Sequence, residues 1–136
     1  MTEKRILTNS FEETQTLAFD YAKNLKKGSV LALHGDLGSG KTTFVQGLAR
    51  GLGIEKKIIS PTFIIMRTYG HFYHVDLYRV ETEKDVEGLG LLEIINDPEN
   101  IVVIEWPEKI DHHLPKKTIS IEFEYLKDDQ RRIIFK

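Results

Sequence analysis

Residues 31–49, LALHGDLGSGKTTFVQGLA, set an apolar run, a glycine-rich turn and an amphipathic segment end to end. Gly35, Gly40, Lys41 and Thr42 satisfy G-x-x-x-x-G-K-[S/T]. With glycine near ~7% of residues, a chance match in a chain of this length is on the order of one in a few hundred. The context strengthens it further, because a buried strand before the turn and a helix after it form the opening unit of an α/β fold.

The residue types suit one chemistry. A backbone aims several N–H groups at the oxygens of one anion only where side chains are out of the way, and Gly35, Gly38 and Gly40 provide that. The helix that follows contributes its positive end. Lys41 is placed to bridge β- and γ-phosphates, and the Thr42 hydroxyl to ligate Mg²⁺. Asp36, Leu37, Ser39 and Thr43 are the remaining residues of the loop and its entry into the helix. A plain glycine-rich strand-to-helix turn is the competing interpretation.

Around this unit the chain reads as a single domain spanning residues 1–136. Ser10 and Glu13 have capping-box spacing, and Leu17, Ala18, Tyr21, Ala22 and Leu25 recur at helical spacing up to Gly28. Lys23, Lys26 and Lys27 then complement the end of that helix dipole. A second helix runs from 42 to 52 and closes at Gly53. Strand-like runs SPTFIIMRTY and FYHVDLYRV, separated by Gly70 and His71, predict an antiparallel hairpin. The segment 81–100 is helical in part, loosened by Gly88 and Gly90. IVVIEW suits a parallel strand beside the first, Pro107 ends it, and HHLP suggests a short turn. The tail folds back on itself around 127–130. The expected class is α/β, a P-loop NTPase fold with a mostly parallel central sheet, helices on both faces and antiparallel hairpin additions.

Such a site needs a carboxylate at a neighbouring strand end to hold Mg²⁺ or orient water. Glu105 follows four apolar residues and is the first choice as metal ligand, against a solvated strand-end glutamate. Asp76 competes for that role, but it shares a strand face with His74 and reads equally well as an exposed hairpin residue or an ion-pair partner of Arg67 or Arg79. Trp106 reads as core, or as a cover for the nucleotide. His34, His71, His74, His112 and His113 lack transition-metal spacing and are expected in surface or packing roles.

GDLGSGKTTF, SPTF, HVDLYR and IEWPEK, in this order and in a chain of 136 residues, resemble the TsaE family of small P-loop ATPases in bacterial tRNA threonylcarbamoyladenosine biosynthesis. The resemblance covers essentially the whole chain and implies that ATP and Mg²⁺ are cofactors bound along the loop from Gly35 to Thr43, with Asp36, Leu37, Ser39 and Thr43 among the nucleotide-contacting positions. It implies that Thr62 lies in a switch-like segment, that Asp76 is needed for function, and that Glu105 and Trp106 lie at metal and nucleotide. Lys41, Thr62, Asp76 and Glu105 are then the catalytic set. The N-terminal segment with Ser10, Phe11 and Thr14 would approach the adenine. The implied partners are TsaD, which performs the transfer, and TsaB, with tRNA reached only through that complex. Ser39, where many relatives have alanine, is the one mild departure.

Composition agrees. A formal charge of −2 gives no field suggesting autonomous nucleic-acid or membrane binding. The absence of cysteine excludes disulfides and thiolate zinc sites, and no N-terminal apolar run resembles a signal peptide, so a cytoplasmic protein is expected. A small-molecule or nucleoside kinase is the alternative, but arginines 5, 50, 67, 79, 131 and 132 form no lid-like segment. Arg79 is the in-chain candidate for an arginine finger. A GTPase would need a guanine-reading N-K-x-D, which is absent, and DVEG at 85–88 reads as part of a helix.

Overall fold

The computed structural model describes residues 3–58, 65–82 and 84–136. Among them seven strands form one sheet: β1 (Lys4–Thr8), β2 (Val30–His34), β3 (Met66–Tyr69), β4 (Phe72–Asp76), β5 (Ile101–Glu105), β6 (Ile119–Lys127) and β7 (Gln130–Phe135). Their order is β1-β7-β6-β2-β5-β4-β3. The central strands β6, β2, β5 and β4 run parallel, and the flanking pairs are antiparallel. The helices are α1 (Phe11–Ala22), α2 (Lys41–Gly51), α3 (Lys84–Glu87) and α4 (Leu91–Asn96), with a 3₁₀ segment at Pro107–His113.

The nearly uninterrupted apolar character of β2 and β5 follows from burial on both faces. Leu31, Leu33 and Val103 point to one side and pack with Ala18 and Ala22 of α1 and Phe44 and Leu48 of α2. Val30, Val102 and Ile104 point to the other, against Leu91 and Ile95 of α4 and Ile110 of the 3₁₀ segment. The expected class, a mainly parallel centre with helices on both faces and hairpin additions, is therefore observed. None of the described helices is long and apolar enough to cross a membrane.

Three local expectations change. Helix α1 stops at Ala22, not near Gly28, and no basic residue lies in its last turn. Beyond it, Ser29 Oγ donates to the Lys26 carbonyl at 2.7 Å and the Gly28 N–H donates to the Asn100 carbonyl at 2.8 Å. That loop takes the chain away from the helix axis, so the dipole does not explain Lys26 and Lys27; Lys27 instead makes an exposed ion pair with Glu99. Strand β4 is more than a hairpin arm, because its second edge pairs in parallel with β5. The C-terminal hairpin forms as expected, with Asp128 at φ +48° in its turn, yet β6 also lies parallel to β2 and so belongs to the sheet's interior.

Helices α1 and α2 approach closely at Gly47, where a Cβ would stand 2.3 Å from the Gln15 carbonyl oxygen. Alanine gains about 1 kcal/mol of helix propensity over glycine, but overpacking costs about 1–3 kcal/mol. The clash wins, because the obstacle is backbone and cannot rotate aside. Gly47→Ala should lower the denaturant midpoint, while Gly88→Ala, which meets nothing within 4 Å, should stay within about 0.5 kcal/mol of the parent. A Gly47→Ala protein more stable than the parent would contradict this packing.

Candidate functional site

The loop between β2 and α2 is shaped by backbone conformations that side chains resist. Gly35 has φ +151°, and a Cβ there would lie 2.7 Å from both the Phe123 carbonyl oxygen and Ser39 Oγ. Gly40, at φ +105°, caps α2 without any side-chain hydrogen bond, and the first turn of α2 carries no acid. Helix α1 is the contrast: Ser10 Oγ accepts the Glu13 N–H at 3.1 Å, and Glu12 and Glu13 follow. The Glu13 carboxylate returns to the Asn9 N–H at 3.1 Å, one residue before the usual capping-box partner. The N-terminus of α2 is thus left with donors for an outside anion.

Lys41 opens α2 and is only 4% exposed. Its ammonium donates to the Gly35 carbonyl and lies 3.9 Å from the centre of the Trp106 ring. Burial pushes its pKa down, and the charges of Glu105, Asp76, Glu108 and Asp36 oppose that shift. Trp106 holds its ring there from a left-handed backbone position, φ 59°, that turns the chain sharply after β5. Tyr78 supports the ring from the other strand end at 5.1 Å between centroids.

Glu105 and Asp76 stand opposite each other in the parallel register of β5 and β4. The Glu105 carboxylate is buried, and its Oε2 accepts the Thr42 hydroxyl at 3.3 Å and pairs with His74 Nε2 at 2.6 Å. His74 is therefore neither a surface nor a simple packing residue. Asp76 accepts the Tyr78 N–H at 2.9 Å. Its pKa is raised, chiefly by burial and further by Glu105, while the Tyr78 bond, His74 and Lys41 pull the other way.

A cleft of about 250 Å³ runs along the loop, lined by Phe11, Leu37, Gly38, Gly40, Lys41, Thr42, Thr43 and Arg131. Arg131 comes from β7 and had no signal in its local sequence. Its guanidinium donates to the Gly38 carbonyl at 3.0 Å, is tethered to the Asp128 carbonyl at 2.9 Å, and stacks on Tyr125 at 4.6 Å. Of the N-terminal positions, Phe11 faces this cleft. Ser10 is engaged as the α1 cap, and the Thr14 hydroxyl is buried against that of Thr8 at 2.8 Å. Asp36 and Leu37 are exposed at the loop tip, where the Asp36 carbonyl accepts the Ser39 N–H. Ser39 itself is buried, with no partner for its hydroxyl among the described residues. Thr62 lies outside the described residues.

The oxygen donors fit a small hard cation held mainly by an anionic ligand and water: one hydroxyl, Thr42, beside one carboxylate, Glu105. Among the described residues no group of three or more His, Asp or Glu side chains forms an all-protein metal cage.

A family profile described as "Threonylcarbamoyl adenosine biosynthesis protein TsaE" matches residues 8–133. The chain is 42% identical over 128 residues to the tRNA threonylcarbamoyladenosine biosynthesis protein TsaE of Bacillus subtilis, covering 91% of this chain and 79% of that one. It is 40% identical over 136 residues to the protein of the same name from Rickettsia bellii, with 96% and 93% covered. The crystal structure of Bacillus subtilis YdiB superposes with a TM-score of 0.82 at 34% identity, covering 98% of this chain and 84% of that chain.

The raised pKa of Asp76 has a consequence for stability. The folded protein binds this proton more tightly than the unfolded chain, so stability present below 3.8 is lost as pH rises through the folded value. Asp76→Asn keeps an acceptor for the Tyr78 N–H and removes the charge. In metal-free buffer the variant should melt above the parent at pH 7, with the gap closing as pH falls below 3.8. A variant that melts lower at pH 7 would contradict burial as the dominant influence on this carboxylate.

Proposed function

The chain belongs to the TsaE family, and from that premise we propose that it is the ATP-binding and ATP-hydrolysing component of tRNA threonylcarbamoyladenosine formation. It supports the cycle of a TsaD–TsaB complex in the cytoplasm without catalysing the transfer itself. The observation that carries the reading is the convergence of an uncapped α2 N-terminus, the Lys41 ammonium, and the Thr42–Glu105 pair on one sheet edge. Near-neutral charge supports leaving tRNA contact to the partners.

In this reading the loop 35–42 and the α2 N–H groups bind the phosphates, and Lys41 exchanges the Gly35 carbonyl for β/γ-phosphate oxygens. Thr42 and Glu105 would hold Mg²⁺, which when bound neutralises charge developing on the phosphates. Asp76, made more basic by burial, accepts a hydrogen bond from the attacking water. Trp106 and Tyr78 shield this edge from bulk solvent, which strengthens each charge interaction there. Arg131 fixes the loop's far side through Gly38, and Thr62 serves as a γ-phosphate-sensing switch.

The test is ATP turnover by the chain alone and with TsaD and TsaB, measured beside modified-tRNA formation. Turnover and modification should both rise in the complete mixture. Lys41→Ala should weaken ATP binding at least about tenfold, the loss of one charge-assisted hydrogen bond. Glu105→Ala should impair Mg²⁺-dependent turnover more than Asp76→Ala does. The opposite order would exchange the two carboxylates, and unchanged nucleotide affinity in Lys41→Ala would overturn the phosphate assignment.

A further inference from the structure

We propose that His74 is a positioning residue that holds the Glu105 carboxylate in the geometry needed for Mg²⁺, an inference that rests on Glu105 as a metal ligand. His74 is fully buried, and its Nε2 lies 2.6 Å from Glu105 Oε2. With Glu105 as a metal-binding carboxylate, which only accepts, Nε2 is the donor of this bond. The same Oε2 takes the Thr42 hydroxyl at 3.3 Å. Two donors therefore pin one carboxylate oxygen, and among the described residues no hydrogen bond engages the other.

The strand register explains why His74 can do this. His74 stands opposite Val103, and Asp76 opposite Glu105, so His74 and Glu105 meet diagonally on the face that carries α2. Glutamate loses substantial rotamer freedom on being fixed. A short, buried ring on an adjacent strand supplies that restraint before any metal arrives, as outer partners of metal ligands do.

Packing alone does not account for this histidine. Its Nδ1 is buried with no hydrogen-bond partner among the described residues, an unfavourable state that an apolar side chain of similar volume would avoid. What the ring contributes in exchange is the Nε2 bond.

The experiment titrates Mg²⁺ against binding of a fluorescent ATP analogue in wild type, His74→Gln, His74→Asn and Glu105→Gln. The Gln amide nitrogen reaches as far along the side chain as Nε2, whereas that of Asn stops at the level of Nδ1. His74→Asn should raise the Mg²⁺ midpoint about tenfold. His74→Gln should stay near wild type, and metal-free nucleotide affinity should be the same in both. An unchanged midpoint in His74→Asn overturns the inference, as does an equal shift in both variants, which would mean that a donor at the Nε2 position does not set the midpoint. If Glu105→Gln shifts the midpoint and His74→Asn does not, only the role of His74 falls. If Glu105→Gln leaves it unchanged, the ligand assignment falls and the His74 role with it. Should His74→Asn not fold, imidazole ¹⁵N shifts of the wild-type protein decide: protonated Nε2 is expected, and bare Nε2 overturns the inference.

Discussion

A buried ammonium is the constraint around which this site is arranged. Lys41 loses most of its hydration at the start of α2, and burial alone drives its pKa down. The Gly35 carbonyl, the Trp106 ring and nearby carboxylates compensate in part. A cation over a ring recovers about 0.5–2 kcal/mol, which is less than the desolvation of a charge costs. The left-handed turn at Trp106 and the Gly35 conformation, which tolerates no Cβ, follow from the need to bring those partners to the amine. The same partners can hand the amine over to a phosphate.

The sheet does the rest. Parallel pairing of β4, β5 and β2 aligns their carboxyl ends, so Asp76, Glu105 and the loop after His34 emerge together. Side chains two apart share a face, which puts His74, Asp76 and Glu105 on the side of α2 and gives Glu105 a donor from each neighbour. Burial first, and the nearby Glu105 second, raise the pKa of Asp76. In the proposed function the carboxylate held by two donors takes the cation, and the half-buried, more basic one takes the water.

What was legible in the sequence was local. The strand–loop–helix unit, the Ser10 cap and the Gly70 hairpin each depend on residues within a few positions, and Glu105 was marked by the apolar run before it. What escaped depended on long-range register. Asp76 was ambiguous because nothing in HVDLYR says that β4 has a parallel neighbour. His74 looks like any histidine in an alternating strand until β5 is laid beside it. Arg131 reaches Gly38 across 93 positions, through a hairpin whose alternating pattern does not disclose its place in the sheet's interior. The first helix stops at Ala22, short of the Leu25 periodicity and of Gly28, because the Ser29 loop and the Asn100 carbonyl capture the chain instead.

The described structure brings a glycine-shaped loop, the Lys41 ammonium, the Thr42–Glu105 pair and Asp76 to one sheet edge, and the proposal that ATP hydrolysis serves a partner's cycle rests on that arrangement. The most direct test is a crystal structure with Mg²⁺ and a non-hydrolysable ATP analogue. Lys41 Nζ is expected to move from the Gly35 carbonyl onto phosphate oxygens, with Thr42 Oγ1 and Glu105 holding the Mg²⁺. A nucleotide bound elsewhere, with Lys41 still on Gly35, would contradict that expectation.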